Sequence, residues 1–260
     1  MKKIAVCYKW VLSDADIRVN DKTHVLDMEK CKPQISEYDR NGIECGVQIK
    51  AASGAEFVGV SCGTSCAASA KDALSRGPDA VYTLDDAVMA DADSSTTSKV
   101  LAGMIKAIGD VDVVICAEGS SDEYARQVGP RLAALLGWPS VSYVSKVTVN
   151  GDAFDVERKM EEGTEMVSVS APVVLSVLPD VGEAPIPSVK QILGAKKKPA
   201  NTMDLAAISL SADAVKPLMK VETVLAPVTE RKSIHLNPDG VSISDAAAKL
   251  VQQLSADGIL

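Results

Sequence analysis

Through the first two thirds of the chain, short apolar runs alternate with longer stretches of helical periodicity. Residues 3–9 (KIAVCYK) form a nearly continuous apolar run, and 57–62 (FVGVSC), 80–84 and 112–117 (DVVICA) repeat the pattern. Each is followed by residues whose apolar positions recur every three to four. In 36–52 the stripe is Ile43, Val47 and Ala51. Residues 65–76 are helical in pattern and stop at Gly77-Pro78. Asp93, Ser94 or Ser95 caps a helix reaching about Ile108, and 122–136 reads as a fourth helix ended by Gly137-Trp138-Pro139.

After this point the pattern changes. Residues 141–149 read as a strand leading into a hairpin: 154–159, a turn around 161–163, then 165–169. Pro172 opens a buried run, Val173–Val177. Pro179, Pro185 and Pro187 punctuate a loop, and Ser188 reads as the N-cap of a short helix to Gly194. Lys196, Lys197 and Lys198 close the segment before Pro199. Repeated strand–helix units predict an α/β fold, a doubly wound, mostly parallel, Rossmann-like sheet with right-handed crossovers; the hairpin adds antiparallel strands. Past Pro199 the alternation stops. Residues 200–240, with Pro217, Pro227 and Pro238, read as an extended arm, and 244–254 as a docking helix with Ala247, Leu250, Val251 and Leu254 on one stripe. The expected division is therefore a domain over 1–199 and a C-terminal arm over 200–260.

Composition narrows the picture. Of the 260 residues, 47% are hydrophobic but only 3% aromatic, so the core is aliphatic, as suits parallel strands covered by helices. The net charge of −8 argues against nucleic acid as a partner. Positive charge clusters at 196–198 and 230–232. No run of 18 apolar residues exists, so no membrane span is expected. The start, MKKIAVCYKWV, is superficially like a signal peptide. Lys9 interrupts it and no small-residue cleavage site follows, so a first core strand is the better reading. Cys62 and Cys66 are the close pair among six cysteines, with no second pair or nearby histidine. Reduced cytosolic thiols acting as small apolar residues explain them better than a zinc or cluster site, and the expected location is cytoplasmic.

Two segments carry candidate chemistry. In an open parallel sheet, ligands bind at the C-terminal strand ends near the switch in strand order. Three segments should converge there: the end of strand one (5–9), Cys62-Gly63, and Ala117-Glu118-Gly119-Ser120-Ser121-Asp122. The last is a small-residue turn before a helix, where backbone amides can approach a phosphate. Gln127, Val128 and Gly129 would lie one to two turns into that helix. Glu118, Asp122 and Glu123 would repel a phosphate unless they cap the helix or meet ribose hydroxyls. An ordinary strand–helix turn with Ser and Asp caps is the competing reading. The second segment is Ile186-Pro187-Ser188-Val189, an apolar loop that reads equally as a docking element or as packing of a helix start.

The stretch from 156 to 199 resembles the beta subunit of electron transfer flavoproteins. The resemblance rests on Val156, Arg158, Glu162, Gly163, Glu165, Pro172, Val174, Pro185, Pro187 and Ala195 with the three following lysines. It extends over roughly 3–205. Ser36-Glu37-Tyr38-Asp39 and the loop from Gly119 to Gly129 match the FixA-like branch better than the mammalian-type branch. The resemblance implies an adenine nucleotide, AMP or a second FAD, in a site including Cys7, Ser36, Tyr38, Asp39, Cys62, Ala117, Gly119, Ser120, Ser121, Asp122, Tyr124, Ala125, Gln127 and Val128. It implies a further FAD held mainly by an alpha subunit, with residues 11–16 facing the flavin. It also implies a recognition loop near 183–194 in which Val189, beside Ile186, inserts into a partner dehydrogenase. Lys196, Lys197 and Lys198 would steer acidic partners, or simply form a solvated C-terminal turn.

The implied activity is an electron shuttle between an acyl-CoA dehydrogenase-type donor, as in fatty acid oxidation, and an acceptor. No G-x-S-x-G, Walker lysine or G-x-G-x-x-G motif occurs, and neither His24 nor His235 sits in a catalytic spacing. A carrier needs no acid–base pair of its own, since the flavin does the redox chemistry. The alternative is a stand-alone adenine-nucleotide-binding protein of universal-stress type. An independent flavoenzyme is a third class.

Overall fold

The computed structural model describes residues 1–228, 233–236 and 240–260; the basic cluster around Lys232 and the proline at 238 lie outside the described residues. The chain opens with β1 (Lys3–Cys7). Two antiparallel pairs follow, β2 (Trp10–Leu12) with β5 (Pro33–Ile35), and β3 (Arg18–Val19) with β4 (Leu26–Asp27). Then come α1 (Glu37–Ser53), β6 (Glu56–Gly63), α2 (Ala70–Ser75), β7 (Ala80–Asp85), α3 (Ser94–Ile108), β8 (Val111–Ala117) and α4 (Val128–Leu136). The second half contributes β9 (Ser140–Asn150), β10 (Ala153–Met160), β11 (Gly163–Ser170), β12 (Val173–Val177), α5 (Val189–Ala195), β13 (Ala200–Met203) and α6 (Ile243–Ala256).

Among the described residues, nine strands form one sheet in the order β11-β10-β9-β12-β8-β1-β6-β7-β13. Every pairing from β9 to β13 is parallel, and β10 and β11 extend the sheet as an antiparallel hairpin. Successive residues of a strand feed opposite cores. Ile4, Val6, Phe57 and Ile115 join Ile43 and Ile49 of α1 on one face; Ala5, Val58, Val114 and Cys116 join Val100, Met104 and Leu132 of α3 and α4 on the other. Both faces of β12 are covered, so all five of its residues are buried and its sequence shows no alternation. Each buried Val or Leu there contributes about 1.5–3 kcal/mol.

Three local expectations change. The stripe of α1 does not run through Ala51, which is exposed; its buried residues include Gly42, Ile43, Cys45, Gly46 and Ile49. The glycines decide this. A Cβ on Gly46 would sit 2.3 Å from the buried Phe57 ring, so the helix approaches the sheet through its glycine face. The helix expected over 65–76 divides into a 3-10 turn, Cys66–Ser69, and the short α2. The chain past Pro199 does not leave the sheet at once. It lays β13 beside β7 and then buries Ile208 and Val215 against α3 before becoming exposed. The carboxylate of Asp93, which caps α3 through the Thr96 amide at 2.8 Å, also accepts from the Leu218 amide at 2.7 Å. Burial works against that charge, but the three amides of Thr96, Leu218 and Met219 hold Asp93 below the usual carboxylate range.

Candidate functional site

Strand order reverses between β1 and β8: the chain runs outward through β6 and β7 on one side and through β8 and β12 on the other. A cleft of about 330 Å³ opens at the C-terminal ends of these strands, within the range of small-molecule sites. Cys7, Cys62, Cys116 and Ala117 bring the strand ends to it; Gly119, Ser120, Asp122, Ala125, Gln127 and Val128 supply the β8–α4 loop, and Asp39 reaches in from α1. Ser36, Tyr38, Ser121 and Tyr124 stand behind this lining. Fully buried Ser36 accepts the Ser121 amide at 3.2 Å, and the Tyr38 and Tyr124 rings meet at 5.2 Å. One wall was not anticipated: Met89, Ala90, Ser94, Thr97 and Leu101, from the β7–α3 connection and α3. The signal for it was the Asp93 cap, which marks another helix starting at the same end of the sheet.

The electrostatics centre on Lys9. Its ammonium pairs with Asp122 at 2.7 Å and Glu123 at 3.6 Å, and its backbone amide donates to Asp39 at 2.8 Å. Burial pushes the Asp39 carboxyl up to about 7, against the opposing Lys9 amide and Ser36 hydroxyl. Burial would also raise Asp122, but Lys9 and the Ser120 hydroxyl hold it below its ordinary range. The floor is made of protonated thiols. A hydrogen bond with Cys116 and burial hold Cys7 well above the usual thiol range, and burial pushes Cys62 up to about 12. All six cysteines are unpaired. Thiols this hard to ionise serve the floor as small apolar surface rather than as nucleophiles.

The loop itself departs from expectation. The helix predicted over 122–136 begins only at Val128. Residues 121–123 form a turn, with the Tyr124 amide donating to the Ser120 carbonyl at 3.0 Å. Tyr124 and Arg126 then take left-handed φ values of 46° and 58°. Pro130 is the physical reason. In the first turn of α4 it loses nothing, whereas in a helix begun at 122 its ring would clash with the Arg126 carbonyl. Gln127, Val128 and Gly129 therefore sit at the helix start, where backbone amides lack an intrahelical partner, not one to two turns inside, and Gln127 and Val128 line the cleft. Gly119 is required by close approach: a Cβ there would lie 2.6 Å from the Tyr124 ring.

Residues 23–208 match the family described as Electron transfer flavoprotein domain. The chain belongs to that family. The match covers well over half of the sequence; it takes in the hairpin, α5 and the cleft lining from Asp39 to Val128, while the end of β1, Cys7 to Leu12, precedes it. Among the described residues, no helix of this electron transfer flavoprotein domain protein is long and apolar enough to cross a membrane.

The docking candidates lie elsewhere. Ile186 is 94% and Val189 73% exposed, and Ile192 and Leu193 are exposed beside them. A capping box holds the start of α5: the Ser188 side chain receives the Gln191 amide, and the Ser188 amide donates to Gln191 Oε1 at 2.8 Å. The three lysines are not equivalent. Lys196 and Lys197 are exposed, but Lys198 donates to the Pro78 and Leu74 carbonyls at 2.7 and 3.1 Å, satisfying the C-terminus of α2. Of the residues expected near the flavin, Val11 and Leu12 line the cleft, and 14–16 form an exposed 3-10 turn.

Proposed function

We propose that this chain is the beta subunit, of the FixA-like branch, of a heterodimeric electron transfer flavoprotein. It binds AMP or a second FAD in the cleft and carries electrons from an acyl-CoA dehydrogenase-type donor to an acceptor in the cytoplasm. The observation that carries the reading is the cleft at the strand-order reversal, whose lining from Asp39 to Val128 falls within the matched family region. Its residues fit an adenine nucleotide. Met89, Leu101 and Ala117 give the lining an apolar part for a flat ring, while the start of α4 and two basic side chains, Lys9 and Arg126, give it a part for a charged end. The flavin, held mainly by an alpha subunit, would supply the one- and two-electron chemistry.

This chain's own residues bind, shape and dock. Asp39, Ser36 and Lys9 fix the β8–α4 loop on the end of β1. Val189 and Ile186 present an apolar anchor that a partner could cover and release, since one buried aliphatic side chain is worth about 1.5–3 kcal/mol. The exposed apolar residues from Leu218 to Leu225 supply a surface for the alpha subunit. The universal-stress reading leaves the β10–β11 hairpin and exposed α5 without a role.

The test is nucleotide content. The chain is co-expressed with an alpha-type subunit, and the nucleotides released from the purified complex are quantified. One FAD and one AMP per heterodimer indicate a simple carrier, and two FAD without AMP indicate electron bifurcation. Absence of both flavin and complex sinks the reading.

A further inference from the structure

The cleft is poor in usable positive charge. Carboxylates at Asp39, Glu118, Asp122 and Glu123 line it against two cations, Lys9 and Arg126. Lys9 is already paired with Asp122 and Glu123. Arg126 is different. Among the described residues it makes no ion pair with a carboxylate. Its guanidinium lies 5.6 Å from the ring centres of both Tyr124 and Tyr143, and one terminal nitrogen donates to the Tyr143 hydroxyl at 3.1 Å.

This arrangement holds the side chain without consuming it. A cation–π contact consumes no N–H donor, and phosphate oxygens are recognised along the guanidinium edge. Four of the five N–H groups remain after the Tyr143 contact. The backbone is bent to achieve it: Tyr124, Arg126 and Tyr143 all have positive φ, at 46°, 58° and 62°. Non-glycine residues persist there only where their surroundings fix them. Tyr38 completes the ladder by packing on Tyr124, whose ring lies against Gly119 of the nucleotide turn. These contacts set a charged guanidinium in the cleft lining, two residues before α4, held by tyrosines and near the Glu118 carboxylate but in no ion pair among the described residues.

We propose that Arg126 is the specificity-determining residue of the cleft, the group that makes it prefer a phosphorylated nucleoside over the bare nucleoside. The inference rests on the nucleotide reading above and assigns the phosphate preference to one side chain.

Equilibrium dialysis of the full chain against adenosine and AMP tests it. The wild type should bind AMP about ten- to a hundredfold more tightly than adenosine, and added salt should erode that ratio. Arg126→Gln should bring the ratio close to one while leaving adenosine affinity within about twofold, which also reports that the loop is folded. A ratio that survives Arg126→Gln overturns the assignment alone. Loss of adenosine together with AMP overturns it as well, because Arg126 would then shape the whole loop. A wild-type chain that binds neither ligand overturns the nucleotide reading itself.

Discussion

The cleft and the edge carrying α5 both follow the C-terminal end of a parallel strand, β8 and β12, yet they are built in opposite ways. At the cleft, polar groups are withdrawn from water and cross-tied over long sequence distances. Ser36 is fully buried, Asp39 is 6% exposed, and Lys9 reaches Asp122. At α5 the order is local, one capping box over four residues, and the apolar side chains face outward. A group that must hold a small ligand needs a preformed, low-dielectric wall; a surface that must release a partner needs one exposed anchor on a well-capped helix. The same topology serves both because strand ends deliver whatever loop the sequence places there.

Asp39 carries the largest expected effect at the cleft. A carboxyl raised to about 7 by burial favours the protonated folded state. Its stabilising effect is complete below about pH 4, the unfolded value, and is lost as pH rises through 7. Asp39→Asn keeps an acceptor for the Lys9 amide and removes the charge. The variant should gain on the wild type by up to a few kcal/mol between pH 4 and pH 8, measured by urea unfolding at several pH values. A difference that does not change with pH would refute the burial account of Asp39.

The next largest effect is steric. Gly46→Ala would force a methyl group into the Phe57 ring at the back of α1, costing about 1–3 kcal/mol although alanine is the better helix former. A rise in the urea midpoint would show that α1 has room to move. On the other side, Ser188→Ala removes the cap of α5 and should cost about 1 kcal/mol locally. The readout is faster hydrogen exchange at 192–195 with nucleotide affinity unchanged; slower release of these amides would contradict a locally built helix. Val189→Ala should have the smallest effect on stability, within about 0.5 kcal/mol, because the side chain is already exposed. It should still slow electron transfer from a partner dehydrogenase without altering the flavin spectrum, and stopped-flow kinetics identical to wild type would remove Val189 from docking.

Much of the fold was legible in the sequence, and particular residues show why. The run Val173–Val177 follows Pro172 and is apolar but for Ser176, as suits a strand covered on both faces. Ser188 and Gln191 carry their cap within four residues. The strand-order reversal was expected to gather Cys7, Cys62 and Ala117, and they meet at one cleft. The start of α4 was also written in the sequence, in Pro130, but the acidic run at 122–123 imitates a helix N-terminus and draws the boundary six residues early.

What the chain determined by itself was therefore the kind and sequence of its elements, because hydrophobic period, proline and capping chemistry act over a few residues. Tertiary structure alone decided the rest. It turned α1 onto its glycine face against Phe57, added β13 to the sheet from beyond Pro199, brought Met89 and Thr97 to the cleft, and gave Lys9 to Asp122 and Lys198 to the end of α2. It also brought together Tyr38, Tyr124, Arg126 and Tyr143. These contacts join residues far apart in the chain, and their partners are set by how strands and helices pack, which no local pattern encodes.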